Sequence, residues 1–203
     1  MKYWVVLLAA MLSINVFADT TSPVVPQNQN LSAIDYSNEG RQTGCGLRAT
    51  GEAGEGLWLN VLITAFAKES GLSFGVFKVV AKKINMKNGQ PLLRDGNLTY
   101  LDIGRIHKAW IRTDSGVQPL SYASGGSPHN DGYMAPMEFS NAISLLAAIP
   151  QESFQVGFVK SEDGPEDVFR FNQRISPDEA SKLSTCMNKM IEAVDERKRG
   201  KSL

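Results

Sequence analysis

Cys45 and Cys186 are the only cysteines in a chain of 203 residues, and if they join, the end of the chain must fold back against its beginning. No other feature narrows the set of possible folds as far. A closed loop of about 140 residues contributes roughly 5 kcal/mol on a chain-entropy account. Neither cysteine belongs to a C-x-x-C pair, so redox and zinc chemistry are not indicated.

Whether the thiols pair depends on the compartment, and residues 1–18, MKYWVVLLAAMLSINVFA, address that question. Lys2 and the α-amine form a short positive region, and the apolar run from Tyr3 to Phe17 is broken only by Ser13 and Asn15. Val16 and Ala18 put small residues at the positions a signal peptidase reads, and Asp19 comes next. This is the pattern of a cleaved secretory signal, which places the mature chain in the periplasm or outside the cell. The run is short for a membrane span, no stop-transfer segment follows, and no cysteine stands at the cleavage site to carry a lipid. In an oxidising compartment the expectation is one Cys45–Cys186 disulfide with a structural role.

About 185 residues remain after cleavage, enough for one domain with a proper core and short for two. Lys+Arg and Asp+Glu balance at 21 each, and loss of Lys2 leaves the mature chain near −1. Such a balance supplies no long-range field for nucleic acid or anionic lipid. The expected organisation is a signal peptide over 1–18, a flexible leader over 19–43 and a single globular domain over 44–203. The leader is assigned to Pro23, Pro26 and a run of Gln, Asn, Ser and Thr with little apolar periodicity.

Beyond Gly44 the signal is mostly β. Leu57, Leu59, Val61, Ile63, Ala65 and Ala67 alternate with a mixed second face, which predicts a well-buried strand. Residues 76–87 fit helix and strand periods alike, and three valines followed by Asn88-Gly89 favour a strand leaving through a hairpin turn. A second turn signal, Asp95-Gly96-Asn97, precedes a long segment from Leu98 to Arg112. There a phase switch at Gly104-Arg105 predicts a β-bulge. Phe154, Val156 and Phe158 alternate, Asp163-Gly164-Pro165 turns, and Val168 to Phe171 return as a hairpin.

Two helices stand out. Residues 140–149 gather Ala142, Leu145, Leu146 and Ile149 on one face. The C-terminal helix has Ser176 as N-cap, Pro177 at its first position, and Asp178 and Glu179 where negative charge suits the dipole. Its apolar stripe runs Leu183, Cys186, Met187, Met190, Ile191 and Val194, and Arg197-Lys198-Arg199 close it before Gly200. A disulfide through Cys186 would pin this helix to the first strand of the domain. No internal repeat is seen. The fold class expected is α+β: a predominantly antiparallel sheet, sandwich-like or curled, backed by the C-terminal amphipathic helix.

Chemistry-bearing residues are few. Of the two histidines, His107 lies in a predicted strand and reads as a surface residue, whereas His129 lies in the glycine-rich loop 124–137 with Asp131 and Tyr133. A calcium loop starting at Ser127 would have Asp131, Gly132 and Glu138 in place but lacks its first acidic ligands. A copper site on His129, Met134 and Met137 is a weaker match than core packing by the methionines.

Gly71-Leu72-Ser73-Phe74-Gly75 matches the G-x-S-x-G nucleophile elbow, and Ser73 with Asp102 or Asp114 and His129 has the chain order of a hydrolase triad. Against it, the residues after Ser73 read as a strand where an elbow needs a helix. Arg48, Glu52 and Glu55 in RATGEAGEG read as solvated turn charges, and Trp58 and Trp110 as strand packing. The reading favoured is an exported, non-catalytic binding protein with no cofactor or metal. Its partner is an envelope or secreted protein or a small ligand, contacted through His129, Asp131 and Tyr133. The alternative is an exported serine hydrolase using Ser73 with His129 and Asp102.

Overall fold

The computed structural model describes residues 22–38, 41–67, 72–101, 103–116 and 132–200. Four long strands come first, β1 (Gln27–Asn38), β2 (Arg41–Ala53), β3 (Leu57–Ala67) and β4 (Ser73–Ile84), each antiparallel to the next. Five two-residue strands come after them in close order: β5 (Met86–Lys87), β6 (Gln90–Pro91), β7 (Leu93–Arg94), β8 (Asn97–Leu98) and β9 (Tyr100–Leu101). The chain continues through β10 (Lys108–Thr113), β11 (Gly132–Met137), α1 (Phe139–Ala148), β12 (Phe154–Val159), β13 (Glu166–Phe171) and α2 (Pro177–Gly200).

The large sheet has the order β1-β2-β3-β4-β11 and curls into a half-barrel, and β9 pairs with the far end of β4. A second antiparallel sheet has the order β10-β12-β13. Alternation explains which face of the large sheet is covered. Leu59, Val61, Ile63 and Ala65 of β3 are buried on one face, and the register aligns them with Leu47 and Ala49 of β2 and with Phe77, Val79 and Ala81 of β4. Both helices pack on the large sheet, α1 on β3 and β4, and α2 on β1 and β2. One continuous core unites them with Ala109, Ile111, Phe154, Phe158, Phe169 and Phe171 of the small sheet.

The helices obey their sequence signals closely. Ala142, Leu145, Leu146 and Ile149 are all buried. Ser176 caps α2: its Oγ accepts the Glu179 N–H at 3.3 Å and its carbonyl accepts the Ala180 N–H at 2.9 Å. Leu183, Cys186 and Met190 face the core, while Ile191 is 36% exposed and falls off the stripe. The Cys45–Cys186 disulfide is present, with the two Cα atoms 5.8 Å apart. No helix among the described residues is long and apolar enough to cross a membrane.

Three expectations are corrected. The irregular leader over 19–43 contains β1, because an edge strand pairs through backbone groups that polar residues carry as well as apolar ones. Of the described side chains of β1 only Leu31 is buried, and bulges interrupt the strand's pairing at Gln27/Asn30 and Tyr36/Ser37. Just upstream, Val24 bridges β13: its N–H donates to the Val168 carbonyl at 2.9 Å and its carbonyl accepts from Arg170 at 2.8 Å. The segment before Gly44 therefore laces the two sheets together. The disulfide consequently holds α2 to the second strand, β2, and not to the first. Finally, residues 98–112 form no single bulged strand. β9 belongs with β4, β10 belongs with β12, and the chain crosses between the sheets over 103–107, with Gly104 at φ +85°.

Candidate functional site

Of the residues expected to bind or react, Ser73, Asp114 and Tyr133 lie among the described residues. His129 and Asp131 lie outside them, as does Asp102. Tyr133, the third expected contact, is in β11 opposite Val79 and is only 3% exposed, so its ring is core. Ser73 opens β4 opposite Ala67, and the chain runs extended from there as far as Ile84. A nucleophile elbow needs its serine on a strand-to-helix turn, and Ser73 instead begins a strand. Asp114, the other acid considered, gives both carboxylate oxygens to Arg170 of β13, at 2.7 and 2.9 Å.

The metal readings also part company with the geometry. Gly132–Met137 would be positions six to eleven of a calcium loop, and they form a strand paired with β4. Met134 is 41% exposed and Met137 5%, on opposite faces of that strand, so they do not share a copper ion. Among the described residues no group of three His, Cys, Asp or Glu side chains is placed to hold a metal. His107 is exposed, and its N–H bonds the Val159 carbonyl just before β10 begins. Glu52 accepts from Asn28 at 3.2 Å. Trp110 lies flat over Gly157, where a Cβ would fall 2.3 Å from the indole, and donates its Nε1–H to Glu166. Trp58 packs on Tyr100 with ring centroids 6.0 Å apart.

The molecule does, however, present an arm. Between β4 and β9 the chain makes two successive hairpins, β5–β6 around Asn88-Gly89 and β7–β8 around Asp95-Gly96. All four turn residues have positive φ, at 54°, 77°, 52° and 77°, as a primed two-residue turn requires, and Asn, Asp and Gly tolerate that conformation best. A ring of backbone bonds closes the base. Asn85 N–H donates to Thr99 at 2.9 Å, Leu92 N–H to Asn85 at 2.8 Å, and Thr99 N–H to Leu92 at 3.0 Å. The Thr99 hydroxyl adds a second bond to the Leu92 carbonyl at 2.9 Å.

Every residue from 86 to 98 is exposed, yet the arm is not polar. Met86, Leu92, Leu93, Leu98, Tyr100 and Leu101 are each between 37% and 57% exposed, more than half of the large exposed apolar side chains found in the described chain. The sequence held a signal for this element that identity matching misses. Residues 86–92, MKNGQPL, and 93–99, LRDGNLT, match in chemical type through their first five positions: apolar, cation, Asn or Asp, Gly, amide. A seven-residue tandem repeat therefore exists where none was expected, and each copy is one hairpin.

A cleft of about 290 Å³ lies between β1 and α2 above the disulfide, rimmed by Asp35, Gln42, Lys182 and Lys189. Three of these four rim groups are engaged with neighbours. The Gln42 amide donates to Asp35 at 2.7 Å and to the Gly44 carbonyl at 2.6 Å. Glu179 accepts from the Ala33 N–H at 2.7 Å and from Lys182 at 2.5 Å, and these bonds, the lysine's first, hold its carboxyl below the usual glutamate range. The same partnership raises the Lys182 ammonium. This arrangement fastens α2 over the edge of β1. No family model matches the chain, and neither the curated proteins nor the solved structures yield a match.

Proposed function

We propose that the chain is an exported, non-catalytic binding protein and that the double-hairpin arm is the element with which it binds. One observation carries this reading: a backbone-braced projection and the strand β9 at its base together hold six large apolar side chains in solvent. Leaving such a side chain half exposed forgoes about 1 kcal/mol of burial apiece, and contiguous exposure of this kind marks interaction sites. The disulfide is compatible with an oxidising compartment, which agrees with export. The partner class is another envelope or secreted protein. The hydrolase alternative is not favoured, because Ser73 begins a strand and Asp114 is paired with Arg170.

A photo-crosslinking residue placed at Leu93 in exporting cells is expected to give an adduct that the same residue at Glu162, exposed on the β12–β13 turn, does not. Equal adducts at both positions, or none at Leu93, refute the arm as the contact element. A fluorophosphonate probe on the purified chain is expected to label wild type and Ser73→Ala alike, at background. Labelling that Ser73→Ala abolishes would reinstate the hydrolase.

A further inference from the structure

The distribution of charge and apolar surface along the arm also specifies what it fits. Taking the arm as the contact element, we infer that its partner is a protein surface whose apolar centre is bordered by carboxylates, and not a lipid bilayer. In each hairpin the apolar residue sits at the base and the cation one position further out. Met86 pairs across with Pro91 and Leu93 with Leu98, whereas Lys87 pairs with Gln90 and Arg94 with Asn97. Leu92 lies between the two hairpins, and Tyr100 and Leu101 continue the apolar surface along β9. The result is an apolar centre with a polar and cationic rim, the anatomy of a protein–protein interface.

A bilayer asks for the opposite order, with apolar residues at the tips and cations behind them at headgroup level. Here the tips are Asn88-Gly89 and Asp95-Gly96, and the Asp95 carboxylate would meet an anionic surface head on. The rim nevertheless has a definite sign. On the two hairpins the exposed charges are Lys87 and Arg94 against Asp95, an excess of one positive charge in a chain whose total is zero. Rim cations such as Lys87 and Arg94 select an oppositely charged partner and speed its encounter.

A zero-length test reads the carboxylates directly. A water-soluble carbodiimide activates a carboxylate, and the Lys87 amine displaces it to form an amide, the carbodiimide leaving as its urea. Applied to the full-length chain in exporting cells, it is expected to join Lys87 to an Asp or Glu of the protein captured from Leu93. Lys160, just beyond β12, 42% exposed and ion-paired with Asp167 at 3.0 Å, serves as the control lysine and is expected to give no adduct to that protein. Lys87→Arg keeps the charge and should lose the carbodiimide adduct while retaining the Leu93 photo-adduct. Lys87→Glu with Arg94→Glu should lower the photo-adduct about fivefold, the scale of a rim-charge effect near 1 kcal/mol.

A photo-adduct at Leu93 without any Lys87 amide overturns the carboxylate border and leaves the binding reading intact. Loss of both removes the binding reading as well. Sedimentation with phosphatidylglycerol vesicles that Leu93→Ser abolishes, or an amide formed to a second copy of this chain, likewise overturns the inference.

Discussion

Replacing Gly75 by alanine tests how the helix α1 is seated. Gly75 lies on the buried face of β4, and a Cβ added there would stand 2.4 Å from Met137 Cγ and 2.5 Å from Ala142 Cβ. Met137 is long enough to swing aside. Ala142 is fully buried and has no rotamer to change, so α1 must lift off the sheet or β4 must bend. Overpacking of this kind costs about 1–3 kcal/mol. The substitution also removes conformational freedom from the unfolded chain, which returns about 0.4–1 kcal/mol. The net expectation is a loss of about 1 kcal/mol, or a Tm lower by about 2–4 °C for a chain of this size.

Urea titration followed by calorimetry measures the loss, with an unchanged m value showing that stability has changed and the surface exposed on unfolding has not. Ala142→Gly supplies the second half of the test. Alone it costs about 1 kcal/mol of helix propensity, and combined with Gly75→Ala it should cost at least 1 kcal/mol less than the two losses added. A neutral Gly75→Ala, or strict additivity in the double variant, refutes the reasoning. Confirmation would explain the second glycine of the G-x-S-x-G match as room for a helix.

Other consequences are open to direct measurement. Replacing Cys45 and Cys186 together by alanine opens a loop spanning 141 positions and should lower stability by up to about 5 kcal/mol; a loss below about 1 kcal/mol would show that the loop is not what the bond restrains. Tyr133→Ala should cost about 3–5 kcal/mol in urea, as for a core aromatic, whereas a ring serving only as a surface contact would leave stability within about 0.5 kcal/mol. Glu179 is held below its ordinary value, so its contribution is complete above the unfolded glutamate value of about 4.3 and is lost as pH falls through the lower folded one. Glu179→Gln should therefore flatten the acid limb of the stability curve in that window. Glu152, whose bonds to Ser115 lower it in the same direction, is present in both proteins, so the difference curve isolates Glu179.

The candidate site was half legible. Asn88-Gly89 and Asp95-Gly96 announce hairpins because few residues tolerate positive φ, and the paired heptapeptides were there to be aligned by chemical type. That the hairpins project into solvent was not legible, since exposure depends on what else packs nearby. His129 and Asp131 drew attention as polar residues in a glycine-rich loop, a composition that surface connections share with binding loops.

By itself the sequence determined whatever depends on local period and local dihedral preference. The alternation of β3, the buried stripe of α1, the cap and core stripe of α2 and the β12–β13 hairpin all belong here, while the pairing of the two cysteines was legible because neither has another cysteine to join. Tertiary structure alone decided the rest. β1 is a strand because β2 supplies partners for backbone groups that carry no side-chain signature. Residues 98–112 divide because two different sheets each capture one end. Tyr133 and Met137 are buried, and Met134 is not, because only one face of β11 meets the core. Periodicity says which residues share a face, and only the packed fold says which face is turned away from water.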